Sequence, residues 1–303
     1  MVGIITTGNH PKALWPGIKA WWGRVYDEHV TEYTDLFDTD TSSRAYEEDV
    51  EVTGFGLAPV KPEGGGVSYD SESQSFVSRY THVAYALGYI VTYEELSDNL
   101  YEMVSKRRSQ ALAFSMRQTT ENVGANVYNN GFDANFVGGD SSAMLVTNHS
   151  TLSGSQSNIL STAADLSEAS IEDLIIQIMG ATNARGLKIS LMPRKLLIPR
   201  QSWFEANRIL NSVLQNDTAN NAINVLKATN AMPEGVAVNH YFTDTDAWFV
   251  RTNAPRGLIH YQREATSFAT DNDFNTSNAL AKSYQRESFK WTDWRGIYGS
   301  PGA

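Results

Sequence analysis

Gly54-Phe55-Gly56-Leu57-Ala58-Pro59-Val60-Lys61-Pro62-Glu63-Gly64-Gly65-Gly66 is the stretch on which the reading of this chain turns. Two prolines and five glycines fall within thirteen residues, so no regular element can run through it. On one side, Glu47 to Thr53 places Val50 and Val52 at the two-residue spacing of a strand. On the other, Ser75 to Thr92 is rich in β-branched and aromatic residues. Two extended arms around a flexible tip make a long hairpin. A hairpin of this kind has little core of its own and needs a surface to lie on.

The next stretch, residues 93–130, has no proline and a single glycine, Gly124. Thr92 or Tyr93 precedes Glu94 and Glu95, and carboxylates suit the positive end of a helix. Leu96, Leu100, Met103, Val104, Ala111, Phe114, Val123 and Val127 recur mostly at steps of three and four. The spacing predicts one helix of roughly 50 Å at the usual rise per residue. Asn129-Asn130-Gly131 is its stop. Arg107 and Arg108 interrupt any coiled-coil seam, so the helix reads as the spine of an extended domain.

Residues 1–45 are aromatic and turn-rich, with Trp15, Trp21, Trp22 and Tyr26 in an arm suited to docking on its own domain or a neighbouring subunit. Residues 131–165 read as loop. Ser167 starts a helix with an apolar stripe of Ile171, Leu174, Ile175, Ile178 and Met179, stopping near Arg185-Gly186. Leu187 to Ile198 reads as a strand pair broken at Pro193, followed by helices over Trp203 to Leu214 and Asn221 to Lys227. From Val236 onward strands are expected over Val236 to Phe242, Ala247 to Thr252, Gly257 to Arg263 and Ala279 to Trp291. Strands and helices without βα alternation point to an α+β fold.

The composition allows a real core, with 41% hydrophobic and 19% charged residues. A net charge of −10 argues against a tight grip on nucleic acid. Lys106, Arg107 and Arg108 read as a solvated helix face. Cysteine is absent, which excludes disulfides and thiolate chemistry. No stretch approaches the roughly 18 apolar residues of a membrane span. The first residues show no leader, so folding in a cytosol is expected.

Searches for catalytic signatures fail. There is no phosphate loop, and Gly54-Phe55-Gly56 runs into prolines where a dinucleotide site needs a helix. Gly66-Val67-Ser68-Tyr69-Asp70 lacks the second glycine of a nucleophile elbow. The histidines form no zinc-binding pair. Asp271 and Asp273 begin like a calcium loop, but Thr276 and Lys282 stand where Gly and Glu are required. No catalytic residue, cofactor or metal is assigned, and no enzyme is expected.

The order of parts resembles the Hong Kong 97-type major capsid protein of tailed bacteriophages, close to the Mu-like major head subunits. Leu14-Trp15-Pro16-Gly17 through Trp21-Trp22-Gly23 carries the resemblance. So do Phe76 to Thr81, Ala86-Leu87-Gly88-Tyr89, Asn129 to Phe132, Gly138-Gly139-Asp140, Ala164 to Ala169, and Asp273-Phe274 with Arg286.

The resemblance implies an arm at 1–46, an extended loop at 47–92, and a peripheral domain at 93–165 with its spine helix at 94–130. It implies an axial domain at 166–258, return strands of the peripheral domain at 259–292, and a segment at 293–303 near the axial domain. Trp15, Trp21, Trp22, Tyr26, Phe55, Leu57, Lys61, Tyr69 and Phe76 are the expected inter-subunit contacts. Lys61 is read as an ordinary exposed lysine, since no acceptor for a cross-link is identifiable. The implied role is self-assembly as hexamers and pentamers into an icosahedral head around double-stranded DNA, which is contacted non-specifically. The implied partners are a separate scaffolding protein and a portal, with a decoration protein as an optional addition, and no membrane. The implied location is the virion, assembled in the bacterial cytoplasm, with no removal of a leading segment. The alternatives are a decoration or tail component, and an acidic glycan-binding protein or hydrolase.

Overall fold

The computed structural model describes residues 4–5, 30–97, 102–214 and 222–303. Its strands in chain order are β1 (Ile4–Ile5), β2 (Asp38–Thr41), β3 (Tyr46–Val52), β4 (Gln74–Thr81) and β5 (Val83–Val91). There follow β6 (His149–Thr151), β7 (Gly154–Gln156), β8 (Pro193–Pro199), β9 (Val236–Asn239) and β10 (Trp248–Thr252). The last are β11 (Leu258–Asn272), β12 (Ala279–Trp291) and β13 (Ile297–Ser300).

The first sheet has the order β1-β5-β12-β11-β2. β12 is its spine, pairing antiparallel with β11 along nearly its whole length and with β5 from Ala279↔Val91 to Glu287↔Val83. Its alternate residues Ala279, Ala281, Ser283, Gln285 and Glu287 are buried, the period expected of a sheet covered on one face. The cover is the helix Glu102–Asn129, which places Leu112 and Ala113 against Phe268 and Ala281. Gly124 lets the helix approach closely, since a Cβ there would stand 3.3 Å from Phe289. The chain enters this helix through a short one, Tyr93–Ser97.

The second sheet has the order β13-β10-β8-β9. Every residue of β10 is buried, because both faces are covered. Leu196, Ile198, Trp248, Val250 and Tyr298 face the helices Glu168–Met179, Trp203–Asn211 and Val225–Ala228. The intervening Leu197, Phe249 and Ile297 face the other way, onto Leu36, Phe37, Tyr128 and Trp291. That second contact joins the two sheets into one body. Ser167 caps the helix Glu168–Met179 in a reciprocal pair with Ser170.

Several expectations need correction. The stretch from Ser75 to Thr92 is two strands in different sheets, because the chain breaks at His82. That ring is buried between the hydroxyls of Ser288 (3.0 Å) and Ser42 (3.2 Å) and serves as the pivot. β4 therefore pairs with β3 in the hairpin, and β5 belongs to the first sheet. The helix begun at Ser167 ends at Met179, and Gly186, at φ 82°, lies in a separate turn. The strand expected from Leu187 begins only at Pro193, with Lys188 making an isolated bridge to Thr182. The helix from Trp203 stops at Asn211, and the next is the single turn Val225–Ala228. β9 ends at Asn239, and β11 runs on to Asn272. The loop at 131–165 contains the small hairpin β6–β7.

Candidate functional site

The hairpin β3–β4 is pinned to the body by three arginines that meet three of its carboxylates. Near its root, Arg256 donates to both oxygens of Asp49 at 2.9 and 3.1 Å. Thr292 donates to the same carboxylate at 2.9 Å and shares a 2.6 Å hydrogen bond with the Tyr80 hydroxyl. Two residues along, Arg295 stands 3.1 Å from Glu51. Arg295 is buried, donates to the Thr182 carbonyl at 2.9 Å, pairs with Asp293, and lies 4.4 Å from the Trp294 ring centre. Burial pushes the Glu51 carboxyl above its ordinary value, and the Arg295 charge opposes that push.

The third pair is farthest out. Asp70 accepts the backbone N–H of Gly56 at 2.7 Å and of Ser71 at 2.8 Å, and Arg185 donates to both its oxygens at 3.0 and 3.2 Å. Those N–H groups, Gly56 first, hold its carboxyl below the usual range, with Arg185 adding to them. Arg185 also donates to the Ser71 carbonyl. It is presented by a turn in which Asn183 accepts the N–H groups of Arg185 and Leu187.

The backbone fits closely as well. A Cβ at Gly139 would stand 2.7 Å from the Val77 carbonyl, and one at Gly138 2.6 Å from the Trp291 ring. The Gly138-Gly139-Asp140 motif is thus the seat of β4. Asp140 then reaches His149 at 2.6 Å, and that ring stacks on Trp294 at 4.3 Å. Asn158 completes the support: its amide donates to the carbonyls of Met144, Trp294 and Ile297, while its oxygen lies 3.1 Å from His149.

Beyond the Gly56–Asp70 contact the tip is apolar and exposed. Leu57 is 82% exposed, Val60 95%, Val67 67% and Tyr69 96%. Phe55 is 59% exposed, just inside the clamp. These side chains and Lys61 line a hollow of about 580 Å³ within the tip. Isolated exposed apolar groups are ordinary, whereas these are neighbours at the end of a clamped projection.

Of the expected contacts, Phe55, Leu57, Lys61 and Tyr69 fall together on this tip. Phe76 differs: it packs on the core of the second sheet, within its own chain. Trp15, Trp21, Trp22 and Tyr26 lie outside the described residues. The clamping residues Arg185, Arg256 and Arg295 were not legible as a set. Each sits far from the hairpin in sequence, and a lone arginine carries no signal of its partner. No group of three or more metal-ligating side chains is found among the described residues. Asp273 instead closes the β11–β12 turn, accepting from the Thr276 hydroxyl at 2.6 Å and the Asn275 N–H at 3.2 Å. No described helix is long and apolar enough to cross a membrane.

The fold is a two-sheet α+β body with a clamped hairpin, and comparison with known proteins gives its class. A family model described as phage capsid protein matches residues 76–300. The chain belongs to the phage capsid protein family. The match begins just past the hairpin tip, so membership rests on the body. No curated protein matches the sequence. Among solved structures, one titled Mycobacterium phage Patience aligns at TM-score 0.56 and 12% identity, covering 99% of this chain and 92% of that one. The capsid of a native GTA particle aligns at 0.55 and 8%, covering 96% and 93%. A virus-like particle from Pyrococcus furiosus aligns at 0.51 and 10%, covering 93% and 97%. The expected α+β capsid fold of the Hong Kong 97 type is borne out. The chain's role is structural, in the capsid of a virion.

Proposed function

We propose that this chain is the major shell subunit of a tailed-phage head, assembling as hexamers and pentamers into an icosahedral container for double-stranded DNA. The observation that carries this reading is the hairpin. Its root is fixed to the body by ion pairs, while its tip presents unsheltered apolar side chains at one defined place. Fixing the root reduces the entropy lost when the tip meets another surface. The second surface is a neighbouring copy, and the exposed tip is stabilised only when that copy is present. The arm at 1–46 clasps another neighbour. The region 166–258 meets its copies at the symmetry axes, and 259–292 returns to the peripheral part. A separate scaffolding protein and a portal complete assembly in the bacterial cytoplasm, with a decoration protein as an optional addition. An acidic chain suits weak, non-specific contact with the packaged DNA. Nothing catalytic is assigned.

The absence of cysteine allows a clean test. Leu57→Cys provides a single attachment point for benzophenone maleimide. After irradiation of assembled particles, covalent dimers and higher multiples are expected on a denaturing gel. Cross-links confined within single chains would overturn the assignment of the tip.

A further inference from the structure

An apolar hollow lies at the end of the first sheet away from the hairpin. There β5, β12 and β11 run side by side, with Ile90 opposite Leu280, Gly88 opposite Lys282, and Ala269 and Asp271 on the flanking strand. These positions share the face turned away from the long helix, since Ala281 between them packs against Leu112 and Ala113. Gly88 lets two strands approach closely: a Cβ there would stand 2.7 Å from the Ala281 carbonyl. With no side chain at Gly88 and a single methyl at Ala269, the floor is low between Ile90 and Leu280. The hollow measures about 500 Å³. Among its described lining residues the charged ones are Lys282 and Asp271, both exposed.

The hairpin cannot fill the hollow of its own chain. Its root is fixed at Thr292, just past the opposite end of β12. From there Glu51 meets Arg295, Phe76 packs on the core of the second sheet, and Asp70 meets Arg185. Leu280 stands at the far end of β12, roughly 35 Å from Trp291 at the rise of a strand. A tip clamped at one end of the body and a hollow at the other meet only between two copies. Their chemistry also matches. The tip presents Leu57, Val60 and Val67 with one cation, Lys61, and one anion, Glu63, all exposed. The hollow answers with an apolar floor, one anion and one cation. The other large apolar groove, lined by Ile176, Met179 and Met192, has Glu172 as its charge among the described lining residues, so it answers Lys61 but not Glu63.

We propose that the hairpin tip of one copy docks in this hollow of the next, with Lys61 against Asp271 and Glu63 against Lys282. The proposal rests on the reading of the tip as a contact between copies and names the surface that receives it. The contact is heterologous: each copy gives its tip to one neighbour and its hollow to another. Repeated around an axis, a head-to-tail contact closes a ring. Burial of Leu57, Val60 and Val67 supplies the apolar contact, and the two charge pairs fix the orientation of the tip.

The test uses the full-length chain, which has no cysteine of its own. Particles of the double variant Val60→Cys/Ala269→Cys are oxidised and run on a non-reducing denaturing gel. A ladder of disulfide-linked multiples is expected, because each copy links both forward and back, and neither single variant should give one. Val60→Cys/Met179→Cys, which offers the other groove, should stay monomeric. A ladder from the Met179 pair overturns the docking site. So does no ladder from the Ala269 pair while Leu57→Cys still photo-cross-links between copies, an outcome that leaves the tip's role standing. Failure of both cross-links removes the site and the tip reading together. Charge exchange decides the matter if the cysteine variants do not assemble. Lys61→Glu and Asp271→Lys should each raise the protein concentration needed for shells on the order of tenfold, and together restore it. A double variant no better than the singles refutes the pairing.

Discussion

Replacing residues 54–72 with an Asn-Gly turn is expected to leave a folded subunit that no longer builds stable shells. The cut ends where the hairpin still holds register: the Thr53 N–H donates to the Ser73 carbonyl at 3.0 Å, and the Ser73 N–H donates to the Thr53 hydroxyl, also at 3.0 Å. A two-residue turn of this type matches the twist of an antiparallel pair. The variant loses the Asp70–Arg185 pair, which is partly exposed, and exposed pairs hold little of a subunit's stability. It also loses the apolar surface of Leu57, Val60, Val67 and Tyr69, none of which supports the core. Thermal unfolding should therefore stay within a few degrees of wild type, while sedimentation shows small species only. Normal particles from this variant would mean that the tip is dispensable.

Arg295→Ala has the largest expected effect on the subunit itself. The guanidinium is buried, bridges Glu51 and Asp293, and caps the Thr182 carbonyl. Removing one member of a buried ion pair costs about 3–5 kcal/mol, because the remaining charge stays desolvated. Much of that cost lies with Glu51, whose carboxyl burial already pushes up. A protonated Glu51 needs no cation, so the destabilisation should shrink as pH falls through the Glu51 titration. Urea unfolding at neutral and at mildly acid pH measures both effects. An equal loss at the two pH values would assign the role of Arg295 to its packing on Trp294.

The chain announces its local devices and hides its long-range ones. Ser167 as a helix start, Asn129 as a helix end, and the tip composition at 54–66 are written in neighbouring residues, and each is found where the spacing places it. The break at His82 was not legible. Residues on both sides favour strand, and only the distant Ser42 and Ser288 make a pivot there. Likewise the all-buried β10 shows no alternation, because helices cover one face and the first sheet's layer covers the other. The irregular, exposed tip is legible from its glycines, prolines and apolar side chains. The clamp that fixes its root was not, since Asp49 and Arg256, or Glu51 and Arg295, are more than 200 residues apart. Phe76 packs partly on its own chain's core, a placement the sequence does not show, because an aromatic in a hairpin reads the same whichever surface it meets.

Self-association into a closed shell is the central claim, and electron microscopy of the expressed chain tests it most directly. Negative staining of the concentrated protein, alone or with a scaffolding partner, should show shells, tubes, or pentameric and hexameric rings. A compact monomer at every concentration, active in depolymerising a polysaccharide, would contradict the account.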